Sequence, residues 1–146
     1  MLELVSIGGL SHMNIFINAL LAKYDKFSGI KKYGPPEYKK WFAGYDAIVE
    51  IASYLGIDVI ETYLQDPDVK FILTERDPDK WIQSMNSSIG ELIKDVDTFP
   101  LAVLKRFEYW ANRFFYLNQL MYWVFSNGKS PEDKNSHADM RQNYIQ

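Results

Sequence analysis

The residues best placed to do chemistry lie together in KFILTERDPDKWIQSMNSS, residues 70–88. Val69–Glu75 is rich in apolar and β-branched residues and reads as the clearest strand of the chain. Arg76 follows directly, and Asp77-Pro78 then reads as the cap and first position of a helix over residues 78–95. In an open α/β sheet, ligands bind outside the carboxyl ends of the strands, where the amides of the next helix favour an anion. A guanidinium at that place grips phosphate through two oxygens. Ser84 lies eight residues on, along the helical stripe of Asp77, Trp81 and Ser88, and its hydroxyl offers one more hydrogen bond. The competing reading pairs Arg76 with Glu75, Asp77 or Asp79 and leaves Ser84 on the helix surface.

Those residues need a scaffold. Residues 2–7 read as the tail of a helix stopped by Gly8-Gly9, and residues 13–23 as an apolar helix closed by the turn-rich segment 24–36. Gly34-Pro35-Pro36 opens a short helix over Glu37–Phe42, and Ala47-Ile48-Val49 is a brief strand candidate. Residues 54–65 fit a helix, 99–126 look helical and aromatic, and Ser130-Pro131-Glu132-Asp133 reads as the capping box of a last helix. This order predicts an α/β layer with parallel strands, although only two strands are visible. Phe71, Ile72 and Leu73 are expected to be buried, with Arg76 facing a cleft.

Composition narrows the function classes. The chain has 146 residues, no cysteine, two histidines and a net charge of −3, with 47% hydrophobic residues. It is too apolar for disorder, and it offers neither disulfides nor thiolate metal ligands; no metal site is expected. Residues 23–40 carry a local +4 and residues 46–97 a local −8, so no continuous basic stripe serves a nucleic acid. No basic stretch precedes Glu3, which argues against a signal peptide and for a cytoplasmic protein. Nine aromatics fall within Phe107–Phe125, but Glu108, Asn112, Arg113, Asn118 and Gln119 interrupt the run, so no transmembrane segment is expected.

WFAGYDAIVE, then KFILTERDPDKWIQSMNSSI, together with the earlier GGLSHM, resembles the P-loop sulfotransferase-like family. The resemblance covers most of residues 4–92. It implies a P-loop NTPase-like parallel sheet with flanking helices and sulfuryl transfer from 3′-phosphoadenosine-5′-phosphosulfate. It also implies that Arg76 and Ser84 bind the nucleotide's 3′-phosphate. For a general base the candidates are His12, the one histidine inside the resemblance, and Glu50, which matches an acid the family carries after GYDA-x-V. The family's Trp-Pro after that acid is Ile51-Ala52 here, and His137 lies in a polar tail without an evident partner.

The family's G-x-x-R-T-G-T phosphate loop is absent from these residues, as is G-x-x-x-x-G-K-[ST]. Residues 1–146 therefore read as one incomplete domain, helix-rich and truncated within a partial sheet, and weakly active or inactive unless such a loop is supplied. The expected partner is a small-molecule acceptor with an apolar part, and self-association into a homo-oligomer is a further expectation. The alternative is a non-catalytic helical interaction protein that uses its aromatic helix, residues 107–125.

Overall fold

The computed structural model describes residues 2–25 and 28–145, with side chains from Gly9 on. Lys26, one of the lysines of the basic stretch, lies outside the described residues. Two compact units are present, Met1–Leu73 and Thr74–Gln146.

The first unit holds α1 (Leu2–Tyr24), α2 (Pro35–Trp41), α3 (Ile51–Leu55) and α4 (Ile57–Tyr63). Gly9 interrupts α1 with φ 54° and ψ −143°, a conformation that costs a residue without a Cβ little. Beyond it Met13, Phe16, Ile17 and Leu20 recur at i, i+3, i+4 and i+7, and all four are buried. They meet the aromatics of α2 and α3: the Phe16 ring lies 5.9 Å from Trp41 and 6.0 Å from Tyr54, and Trp41 stacks on Phe42 at 4.6 Å. Gly34 begins α2, where Glu37 reaches back to its N–H at 2.9 Å.

A charged knot fastens the far end of α1. The Lys23 ammonium donates to the Leu55 carbonyl at the end of α3 and pairs with Asp58 at 3.0 Å, while Lys32 takes the other Asp58 oxygen at 2.9 Å. The Gly56 turn between α3 and α4 has φ 63°, and a Cβ there would stand 3.0 Å from the Lys23 ammonium. Burial alone would push the Asp58 carboxyl up, but the hydrogen bonds and charges of Lys32 and Lys23 outweigh it and hold it below the usual carboxylate range.

The second unit holds α5 (Pro78–Met85), a π-helical turn (Asn86–Gly90), α6 (Glu91–Asp95), α7 (Leu101–Phe107), α8 (Tyr109–Ser126) and α9 (Ser136–Ile145). Asp77 caps α5 by accepting from the Lys80 N–H at 2.9 Å, with Pro78 in the first turn. The π turn follows where the Ser87 and Ser88 hydroxyls compete for the Ser84 carbonyl, at 3.2 and 2.7 Å. Glu108, in extended conformation, separates α7 from α8, and its carboxylate caps α8 through the Ala111 N–H. Leu117, Met121 and Tyr122 of α8 and Met140 of α9 are fully buried.

The expected parallel sheet is not formed. Among the described residues there is no strand: Ala47–Val49 and Val69–Glu75 carry no ladder. A strand persists only against a partner's backbone, and no second strand lies beside either segment. The burial expected of residues 71–73 fails with it, since Phe71 is 52%, Ile72 89% and Leu73 95% exposed. The last helix also starts later than its capping box suggested. Residues 130–135 form turns, in which Asp133 Oδ1 accepts from the Asn135 N–H at 2.8 Å, and α9 opens at Ser136.

Two outcomes follow. Ile17→Ala should cost about 2–5 kcal/mol in urea unfolding, whereas Ile72→Ala should stay within about 0.5 kcal/mol. Asp58 is held below its unfolded pKa, so its stabilisation is present above that value and disappears as pH falls through the folded one. Asp58→Asn should therefore lower stability at pH 7, and its gap to the wild type should close as the pH drops below about 4.

Candidate functional site

Arg76 stands immediately before the cap of α5, and its main chain is held from α9. The Tyr144 hydroxyl accepts from the Arg76 N–H at 3.2 Å and donates to the Arg76 carbonyl at 3.0 Å. The Tyr144 ring stacks on Trp81 of α5 at 4.7 Å, and Trp81 meets Phe125 edge-on at 4.8 Å. One α9 side chain thus fixes both the residue before α5 and the face of α5 on which Ser84 lies.

Arg76 is exposed and is not among the residues lining the groove described below, so the cleft expected around it is not found; its guanidinium takes no ion-pair or hydrogen-bond partner among the described residues. Of the three carboxylates that could compete for it, Asp77 and Asp79 are engaged elsewhere. Asp77 caps α5 through Lys80, and Asp79 pairs with Arg141 at 3.2 Å. Ser84 is half-buried, and its carbonyl serves Ser87 and Ser88. Arg76 and Ser84 do not touch. Arg76 precedes the cap of α5, whereas Ser84 lies in its last turn.

His12 and Glu50 belong to the first unit. Trp41 Nε1–H donates to His12 Nδ1 at 3.2 Å, so Nδ1 carries the lone pair. The proton of a neutral ring is then on Nε2, which faces the Tyr45 hydroxyl at 3.2 Å. Both ring nitrogens are therefore committed, and the Tyr45 ring closes edge-on over His12 at 5.5 Å. Glu50 sits in a strained turn with φ 66° and ψ −33°, and the Ile51 N–H bonds the Val49 carbonyl across it at 2.8 Å. Burial pushes the neighbouring Tyr54 phenol up, and the negative charge of Glu50 adds to that rise.

Sequence reasoning missed Tyr144, Trp41 and Tyr45, because an aromatic hydroxyl or indole reveals its partner only once distant segments meet. It also passed over Asn86. Tyr122 Oη–H donates to Asn86 Oδ1 at 2.8 Å, and Asn86 Nδ2 contacts His137 Nε2 at 2.5 Å. His137, expected to lack a partner, lines a groove of about 490 Å³ with Asp79, Gln83, Glu91 and Arg141. On the helical wheel that groove lies across α5 from Ser84. Among the described residues no three of His, Asp and Glu gather as a metal would need, and no helix is long and apolar enough to cross a membrane.

With these sites in place, comparison with known proteins adds three findings. A family model described as "Sulfotransferase domain" matches residues 1–146. The chain is 26% identical over 123 residues to "Ava biosynthesis cluster protein M" of Aspergillus versicolor, which covers 82% of this chain and 44% of that protein, so the chain spans less than half its length. No solved structure matches.

Replacing Tyr144 by Phe keeps the stack on Trp81 and deletes both hydrogen bonds to Arg76. Urea unfolding should show a loss of about 0.5–1.5 kcal/mol.

Proposed function

The chain belongs to the sulfotransferase-domain family, and on that premise we propose that it binds the 3′-phosphate of a phosphoadenosine nucleotide through Arg76 and Ser84. The observation that carries this reading is the state of Arg76: a main chain clamped by Tyr144, a guanidinium without an ion-pair partner among the described residues, and Asp79 already paired with Arg141. A cation without a partner and a neutral hydroxyl suit a phosphate, so the residues present fit the group. To share one phosphate with Ser84, the Arg76 side chain has to lie back along α5.

The donor of the family reaction, 3′-phosphoadenosine-5′-phosphosulfate, supplies when bound an activated sulfuryl group for an acceptor oxygen. Glu50 of the first unit, in a strained turn at the entry to α3, is kept as the candidate base. His12 can serve as a base only if Trp41 releases Nδ1, and its role is to set Trp41 and Tyr45. The acceptor has an apolar part, in keeping with the exposed Phe107, Tyr109 and Trp110. Because no glycine-rich phosphate loop occurs within residues 1–146, we assign this stretch nucleotide binding with weak or no turnover.

A second reading, an interaction protein using the aromatic helix of residues 107–125, is favoured by the exposure of Phe107 (86%) and Tyr109 (61%). One titration separates the two. Adenosine 3′,5′-bisphosphate should raise the melting temperature, by about 2.7 kcal/mol of added stability at a hundred times its Kd. Arg76→Ala should abolish the shift, Ser84→Ala should weaken binding about five- to tenfold, and adenosine 5′-monophosphate should give no shift. A flat response at millimolar bisphosphate, or a shift that survives Arg76→Ala, would overturn nucleotide binding at this site and leave the second reading.

A further inference from the structure

α7 is an amphipathic helix turned inside out. Leu101, Ala102 and Lys105 are half-buried, whereas Val103, Leu104, Arg106 and Phe107 fall together on its exposed face. The apolar exposure continues past both ends of the helix. Phe99 before it is 84% exposed, and Tyr109 and Trp110 carry the run into the first turn of α8. Six large apolar side chains between residues 99 and 110 thus meet water, far more than a scatter of single exposed residues.

The charges along this run are mostly of one sign. Residues 98–116 hold Lys105, Arg106 and Arg113 against Glu108 alone, in a chain whose net charge is −3. Glu108 turns its carboxylate to the Ala111 N–H at the start of α8, where the helix amides offset it. Lys105 is held by Asp97, Arg113 lies over the Tyr116 ring at 5.5 Å, and Arg106 takes no ion pair among the described residues. The stretch 23–40 is richer in lysine, but Lys23 and Lys32 there are spent on Asp58, and Tyr24 alone of the exposed large apolar residues falls within it. Exposed rings and unspent positive charge coincide at α7.

We propose that this face docks on an anionic lipid bilayer, with α7 lying along the headgroup layer. Phe99, Val103, Leu104 and Phe107 enter the acyl boundary, and Tyr109 and Trp110 keep their phenol and indole N–H at headgroup level. Arg106 pairs with acidic headgroups. Rings as exposed as Phe99 and Phe107 project from the surface, and a fluid layer takes projecting rings without a shaped socket. A second copy would instead set the same cations against each other across a twofold axis. No helix among the described residues is long and apolar enough to cross the bilayer, so the contact is interfacial. Docking here is independent of nucleotide binding at Arg76, and the bisphosphate titration and the vesicle experiment fail separately.

The test is co-sedimentation of the full chain with unilamellar vesicles of phosphatidylcholine, with and without about 30% phosphatidylserine. The chain should partition about tenfold more strongly into the anionic vesicles. Phe107→Ser should weaken that partition about tenfold and Arg106→Gln about fivefold, with melting temperatures unchanged because both side chains face water. Ile72→Ser, and Lys39→Gln combined with Lys40→Gln, change the other exposed apolar run and the other basic stretch and should leave partition within about twofold. No partition would leave this face to a folded protein partner and overturn the proposal. Equal partition into both vesicle types, full partition by Phe107→Ser, or loss confined to the Ile72 or lysine variants would overturn it too. So would a dimer in sedimentation velocity that Phe107→Ser dissolves, in a chain that ignores vesicles.

Discussion

The hold of one tyrosine hydroxyl on the main chain of Arg76 is the interaction on which the candidate anion site depends. An arginine at the entrance to a helix is useful only if its backbone is fixed, since its side chain is long and carries about 2 kcal/mol of rotamer entropy. Tyr144 supplies that fixation from ten residues of α9, by satisfying the N–H and the carbonyl of the same residue at once. The stack of its ring on Trp81 sets where the hydroxyl stands, and Phe125 of α8 backs Trp81 in turn. The chemistry before α5 is therefore referred to the C-terminal helix and not to a sheet.

The same economy runs through the first unit, where aromatic rings do the work that strands would do elsewhere. Phe16, Trp41, Phe42 and Tyr54 pack short helices of five to seven residues that are too brief to persist alone. Lys23 adds a polar tie by meeting both the end of α3 and Asp58 in the first turn of α4. His12 and Glu50 border this cluster, one through Trp41 and the other beside Tyr54, so each inherits its geometry from ring packing.

Much of the helical order was legible in the residues. The cap at Asp77, the proline after it and the helical reach to Asp95 could be read directly, because a cap and a periodic stripe are local devices. The apolar face of α1 was legible for the same reason. The strand at Val69–Glu75 was not, because strand propensity states only what a segment would do beside a partner. At the candidate site, Arg76 and Ser84 could be picked out by spacing, but the freedom of Arg76 could not. Asp79, for one, is drawn away by Arg141, sixty-two residues along the chain. The Asn86–His137 contact was hidden likewise, since a histidine in a polar tail shows no period.

The exposed run at Phe71, Ile72 and Leu73 leads to a different kind of conclusion. It lies at the boundary between the two compact units, where Leu73 ends one and Thr74 begins the other. Apolar side chains in water there add nothing to the cohesion of either unit, and their backbone groups remain available to any extended chain that comes near. The colloidal behaviour of this protein is thus decoupled from its folding energy. A substitution that leaves melting unchanged can still decide whether concentrated solutions stay clear, and charge placed at residue 72 is the most economical way to keep them so.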